Sequence, residues 1–213
     1  MRQIIYVKYN RTRSEKFQLK TAIVRENGAL SVEKTALTEA GAGHMGSFWE
    51  KYQMIREQNP RIRFLEPEFK DGGKTVCFRY LEGETLADAL ADRIHMGQIP
   101  YEELERVMAL VFPEDFSVDS GHFSIKEQTG GPFAPSQGFT EVFGPVPEGL
   151  EELGRLTAAP NVDGLFENLM ISGGHVYGID YEWVFDMEIP ARFLHYRNLL
   201  YFYRRCEASV SSA

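Results

Sequence analysis

The chain has 213 residues, of which 43% are hydrophobic and 13% aromatic, enough apolar material for one packed domain or one domain in two parts. Its formal net charge of −8 argues against a general nucleic-acid binder, which is held by basic contacts to phosphates. No apolar run approaches the length of about 18 residues that spans a bilayer, and M-R-Q-I-I-Y-V-K-Y-N at the start has too short an apolar run for a secretory signal. Cys77 and Cys206 supply neither a metal spacing nor a disulfide framework, so a reducing cytoplasm is the expected setting.

In chain order, three strands are predicted at residues 3–9, 16–25 and 29–36, with Asn27-Gly28 as the hairpin turn between the second and third. In the third, Leu30, Val32 and Lys34 share one face, which puts a lysine on the apolar side. A helix is expected over 38–58 with Thr38 as N-cap, and Met45, Phe48, Tyr52 and Ile55 form its apolar stripe. Strands at 62–69 and 74–81 follow, joined by Asp71-Gly72-Gly73. Glu82-Gly83 then breaks the pattern, and Thr85 caps a helix to about Asp92. Another helix is expected over 101–111. The Pro/Gly-rich stretch 112–149 is too long for an ordinary connection and reads as an insertion, with a helix near 148–157. Two short strands flank Ser172-Gly173-Gly174, and a final helix runs from Pro190 to 207.

The segment N-V-D-G-L-F-E-N-L-M-I-S-G-G-H-V-Y-G-I-D-Y-E-W, residues 161–183, carries the chemistry. A kinase needs a carboxylate to accept the proton of the acceptor hydroxyl, and hard oxygen ligands for Mg²⁺. Asp163 and Asn168 on one tight loop supply a base and a ligand, and the hairpin returns Asp180 as a second ligand. Lys34 on the inner face of its strand suits the nucleotide phosphates. Bland alternatives stand beside these. Asp163 and Asn168 could cap backbone groups in a turn, and Lys34 could be a strand-edge lysine whose amine reaches solvent. Glu182 could hold a second metal or orient Asp180, or pair with Arg192 or Arg197. Trp183 and the aromatics Phe193, Tyr196, Tyr201, Phe202 and Tyr203 read as core packing, and the arginines of 192–205 as a solvated face. The five histidines share no metal spacing, and His44 reads as a packed histidine.

D-G-L-F-E-N resembles the D-x-x-x-x-N of the protein-kinase catalytic loop, and Ile179-Asp180 resembles the metal-binding Asp that follows it. V-E-K at 32–34 is similar to the third-strand lysine motif, and F-R-Y-L-E-G-E-T-L at 78–86 to the segment that joins the two lobes and contacts adenine. I-D-Y-E-W is closer to the aminoglycoside-phosphotransferase and choline-kinase branch than to D-F-G. The stretch 161–197 resembles kinase-like domains of bacterial surface-polysaccharide (lipopolysaccharide) systems. Asn161 and Val162 stand where that motif has His and Arg, and N-R-T-R-S-E-K, with Arg11, Arg13 and Lys16, replaces a glycine-rich loop.

The resemblance implies a two-lobed, protein-kinase-like α+β fold. A small, mainly antiparallel β lobe with one helix would span 1–79, a joining segment 80–84, and a mainly helical lobe 85–213 with the insertion at 112–149. It implies ATP and Mg²⁺ as cofactors, Asp163 as the catalytic base, Asn168 and Asp180 on the metal, and Lys34, Tyr80 and Glu82 on the nucleotide. The helix carboxylate that would pair with Lys34 has no assignment, because Glu39 and Glu50 both project opposite the apolar face by helical phase. The expected activity is phosphoryl transfer to a hydroxyl of a small molecule or glycan, with a glycosyltransferase or methyltransferase as a possible partner. The short interval between Asp180 and Pro190 leaves little room for a protein-substrate platform. The alternative is a catalytically inactive kinase-like module that binds a nucleotide or a partner in polysaccharide biosynthesis.

Overall fold

The computed structural model describes residues 1–98, 101–126, 133–146 and 154–211, with side chains to 207. The chain is α+β, with an antiparallel sheet in its N-terminal part and most of its helix in the C-terminal part, the arrangement expected of a kinase-like chain. It divides into two compact units: Met1–Met54 with Phe64–Glu82, and Ile55–Arg63 with Gly83–Ala213. Residues 55–63 therefore go with the second unit.

The first unit opens with β1 (Arg2–Tyr9), β2 (Leu19–Glu26) and β3 (Ala29–Ala36), joined antiparallel in sequence order. The predicted helix at 38–58 is broken. Thr38 accepts from the Gly41 N–H and caps a 3₁₀ turn, which leads to α1 (Ala42–Gly46) and α2 (Phe48–Ile55). Gly43 and Gly46, poor helix formers, lie inside this stretch. Three of the four residues of the predicted stripe are buried, Met45, Phe48 and Ile55 at 1% exposed each, while Tyr52 is half-buried. The run read as one strand at 62–69 is split into β4 (Ile62–Phe64) and β5 (Glu68–Lys70) around Pro67, which has no N–H to give a ladder. β6 (Thr75–Arg79) then completes a five-stranded sheet of order β1-β2-β3-β6-β5. β3 lies between two neighbours, so Lys34 is in a central strand and not at an edge.

In the second unit, β7 (Glu84–Thr85) leads into α3 (Leu86–His95), and Thr85 Oγ1 accepts from the Asp88 N–H at 3.0 Å as its N-cap. Gly83 explains the break before it. A Cβ at Gly83 would sit 2.0 Å from the Ile171 carbonyl oxygen, so no other residue fits without moving backbone. α4 (Tyr101–Val111) follows as expected. Within 112–149 the chain forms a hairpin, β8 (Phe116–Asp119) and β9 (His122–Ile125), and a short helix, α5 (Gln137–Phe143). The helix expected near 148–157 lies partly outside the described residues. Its C-terminal end is instead β10 (Leu156–Thr157). β11 (Leu169–Ser172) and β12 (His175–Gly178) form the expected hairpin. Its two-residue turn uses Gly173 and Gly174 at φ 55° and 78°, the left-handed region that fits a strand twist and favours glycine.

β13 (Ile189–Pro190) pairs with β10, which places Pro190 just ahead of α6 (Ala191–Ser211). Val162, Ile189 and Leu194 form a core cluster with Phe112, Phe139, Trp183, Phe185 and Met187 against it. Trp183 thus packs as expected, but Phe193, Tyr196, Tyr201 and Tyr203 are exposed. The buried side of α6 is Leu194, His195 and Asn198, because one helix can turn only one stripe inward. Its arginines are not all solvated either, since Arg205 is ion-paired with Asp88.

One polar cluster ties the insertion to this core. Asp115, 0% exposed, takes Arg155 Nε at 2.7 Å and Nη2 at 2.6 Å, and lies 3.0 Å from His195 Nε2. His195 sits between the rings of Phe112 and Phe116, at 4.5 and 4.8 Å. Burial pushes the Asp115 carboxyl up, but hydrogen bonds from Arg155 and His195 outweigh it and hold the pKa at about 2, below the ordinary 3.8. Because the folded value is depressed, this group stabilises the fold above pH about 4, and the contribution fades as pH falls toward 2. In acid titrations of stability, the gap between wild type and Asp115→Asn should be full near neutrality and narrow across that window. Gly83→Ala should lower stability by about 1–3 kcal/mol in denaturant melts, because the contact is with backbone.

Candidate active site

The loop between β10 and β11 is organised by one side chain. Asn161 Oδ1 accepts from the Asp163 N–H at 3.2 Å, and Asn161 Nδ2 donates to the Asp180 carbonyl at 3.1 Å. The same residue's carbonyl takes the Gly164 N–H at 3.0 Å, closing a tight turn under Asp163. Residues 160–162 run antiparallel to 183–185: Val162 N–H donates to Trp183 O at 3.0 Å, and Phe185 N–H to Pro160 O at 3.3 Å. Val162 is 8% exposed and faces the core, so the position that resembles the motif's Arg serves packing.

Asn168 is fixed at the other end. Its N–H donates to Leu165 O at 2.8 Å, and its Nδ2 to Asp163 O at 2.9 Å. Its carbonyl accepts from the Ile179 N–H at 3.0 Å, which extends the β11–β12 ladder by one rung toward Asp180. The amide nitrogen is thereby committed to the loop, and Oδ1 is the group left to bind a cation. Asp180 Oδ1 accepts from the Glu182 N–H at 3.1 Å, so the chain turns at Asp180 instead of continuing as a strand. Glu182 is 2% exposed.

The three residues that the sequence singled out thus form one hydrogen-bonded knot, with Asn161 between Asp163 and Asp180 and Asn168 between Asp163 and Ile179. The turn reading holds in part: Asn161 makes the side-chain turn, and Asn168 does bond backbone. α6 supplies the rest. Arg197 Nη2 lies 2.9 Å from Asp163 Oδ1 and its Nε 3.0 Å from Val162 O. Asn198, 4% exposed, accepts the Phe166 N–H at 3.0 Å and donates to Gly164 O at 3.3 Å and Leu194 O at 3.2 Å. The Asp163 carboxyl is pushed up by burial first and then by Asp180, with Glu182 adding to it, while Arg197 pulls it down; the net direction is up.

Sequence reasoning missed Asn161 as a strap and Arg197 and Asn198 as supports. A weak signal was present, since Asn198 falls one turn after Leu194 on the buried stripe, where a polar residue needs a reason.

Lys34, Tyr80 and Glu82 belong to the first unit. Lys34 is 5% exposed, opposite Thr21 and Val76, with Nζ 5.9 Å from the Phe48 ring centroid. A buried ammonium in a central strand removes the reading of a snorkelling edge lysine. Of the two carboxylates considered for it, Glu39 is bound to Lys74 at 2.5 Å and Glu50 is exposed. Tyr80 and Glu82 are exposed, and the Tyr80 N–H is bonded to Leu30 O at 3.2 Å, which leaves its carbonyl as the main-chain group it can offer. His44 packs edge-on to Phe17 at 5.0 Å and Phe48 at 6.0 Å, as a packed histidine should.

No family model matches the chain, and no curated protein matches it. Among solved structures it is similar to macrolide 2′-phosphotransferase MphH from Brachybacterium faecium, an apoenzyme, with 10% identity and a TM-score of 0.39 over 94% of this chain and 77% of that one. It is also similar to APH(2″)-IIa in a ternary complex with streptomycin and ATP, with 11% identity and a TM-score of 0.34 over 84% of this chain. It spans 66% of that second protein.

The Asn161 strap predicts an asymmetry between two substitutions. Asn161→Asp keeps the acceptor for Asp163 N–H but sets a carboxylate against the Asp180 carbonyl; Asn161→Ala removes both bonds without adding repulsion. Both should destabilise by about 1–3 kcal/mol in thermal melts, and Asn161→Asp should be no better than Asn161→Ala.

Proposed function

We propose that the protein is a phosphotransferase that moves the terminal phosphoryl group of ATP to a hydroxyl of a small molecule or glycan. The observation that supports this most is the single knot joining Asp163, Asn168 and Asp180 through Asn161 and the β11–β12 ladder. A proton acceptor and two oxygen ligands on one rigid support are what phosphoryl transfer asks of a protein.

The donor set fits Mg²⁺. Asn168 Oδ1 and the Asp180 carboxylate are hard oxygens, and among the described residues no cluster of three or more His, Cys, Asp or Glu is set to hold a metal. Mg²⁺ tolerates such sparse protein ligation because phosphate and water oxygens complete its shell. When bound it would neutralise charge on the nucleotide phosphates. Asp163 would accept the hydroxyl proton as the oxygen bonds to phosphorus and the bond to ADP breaks. Burial, which raises its basicity, suits that task. Lys34 would bind phosphates, and Tyr80 and Glu82 would meet the adenine.

A cytoplasmic setting accords with Cys77 and Cys206 as free thiols, and no helix among the described residues is long and apolar enough to cross a membrane. One observation favours the inactive binding module. The segment between β1 and β2 has no glycine, so its backbone cannot approach phosphates as a glycine-rich loop does. The two readings part on one test. The enzyme reading expects Mg²⁺-dependent ATP binding by calorimetry that Asp180→Ala abolishes. It also expects turnover with an alcohol acceptor that falls by about 1,000-fold or more in Asp163→Ala, since removing one member of an interdependent catalytic group costs that order. Binding that survives in Asp163→Ala, with no turnover by the wild type across sugar and amino-alcohol acceptors, would favour the module. No Mg-ATP binding by the wild type would end the ATP-site assignment.

A further inference from the structure

The candidate base is held from outside its own loop. Arg197 on α6 reaches Asp163 Oδ1 with Nη2 at 2.9 Å and the Val162 carbonyl with Nε at 3.0 Å. Two donors of one planar group therefore grip two consecutive residues, one by its side chain and one by its main chain. Donors fixed in a plane set direction as well as distance, which an ammonium cannot do. The plane is itself braced, with its carbon 4.9 Å from the Tyr201 ring centroid one helical turn on.

The helix that carries Arg197 is anchored on both sides of that residue. His195 is tied to Asp115, and Asn198 to Phe166 and Gly164. The charged groups that face Asp163 are Asp180, Glu182 and Arg197. The first two repel its carboxylate, and among the described residues Arg197 is the one that attracts it. Without Arg197 a carboxylate with 24% of its side chain exposed would turn away from its acidic neighbours toward water.

The geometry points to Arg197 as a positioning residue for the phosphoryl-transfer site, holding Asp163 Oδ1 and the Val162 carbonyl so that the other oxygen, Oδ2, is presented to the acceptor hydroxyl. This rests on the phosphotransferase reading given above. The hydroxyl proton goes to Oδ2; Arg197 transfers nothing and acts through Asp163.

The test compares wild type, Arg197→Ala, Arg197→Lys and, as a control, Arg204→Ala, whose arginine is exposed. Three quantities are measured: steady-state kinetics with Mg-ATP and an alcohol acceptor, melting temperature, and amide hydrogen exchange of residues 162–168. Arg197→Ala should lower kcat by about 100-fold, the order expected when a catalytic group is displaced by about an ångström, with KM for ATP within about twofold. Ethylguanidinium in solution should restore kcat by about tenfold or more, whereas Arg197→Lys, with one point charge for two partners, should stay low. Exchange at 162–168 should quicken by about tenfold or more, with the control unchanged.

An unaltered kcat in Arg197→Ala would overturn the inference. So would a loss that ethylguanidinium leaves unrestored while the melting temperature falls in step, since that is plain structural damage. Absence of turnover by the wild type would sink the functional reading instead. Exchange then decides the grip alone: faster exchange at 162–168 supports it, and unchanged exchange removes it.

Discussion

An amide side chain with a donor and an acceptor at fixed separation can join two strands of chain that a carboxylate or an alcohol cannot join in the same way. Asn161 does this between the Asp163 N–H and the Asp180 carbonyl. The loop before β11 and the turn after β12 are seventeen residues apart along the chain, and the hairpin alone would align only their ends. The strap fixes where Asp163 and Asp180 lie relative to each other. The turn closed on the Asn161 carbonyl, the Asn168 amide and the Asp180 side-chain turn then follow from that register.

Around this knot the second unit spends its buried polar groups in connected sets. Asn198 satisfies three backbone groups of the loop and helix, and Asp115 binds Arg155 and His195 together. A buried carboxylate is costly unless both its oxygens are occupied, and here both are. The result is that the insertion and β10 are pinned to α6. That in turn steadies the helix from which Arg197 and Asn198 reach the loop. Asp115 therefore bears on the loop before β11 through α6, without touching it.

The first unit shows the same economy on a sheet. Glu33 and Lys34 are adjacent in β3, so they face opposite sides, yet both are buried, at 3% and 5% exposed. Glu33 is matched by Arg2 and by Lys70 at 3.3 Å, and against its own desolvation the Lys70 ammonium is favoured by Cys77 first and then by Glu33. Lys34 lies beside the Phe48 ring. A buried charge on a central strand costs desolvation unless it is matched, so each of these two side chains constrains what can pack against its face of the sheet.

The sequence by itself determined the pieces that rest on local rules. β3 falls where alternation put it, Asn27-Gly28 and Gly173-Gly174 turn hairpins, Thr85 caps α3, and Met45, Phe48 and Ile55 face inward. The order Lys34, Asp163, Asn168 and Asp180 was legible because a motif is a matter of spacing. Where several local rules competed, the sequence misled: glycines broke the helix at 38–58, and the aromatics of α6 outnumbered the one stripe that could be buried. Only the tertiary structure decided that Asn161 bridges Asp163 to Asp180, that Arg197 goes to Asp163 and not to Glu182's side of the question, and that Asp115 meets Arg155 and His195. Those contacts join residues 19 to 80 positions apart, each through one rotamer of one polar side chain. No periodicity records such a pairing, because it exists only once packing has brought the two partners within hydrogen-bond distance.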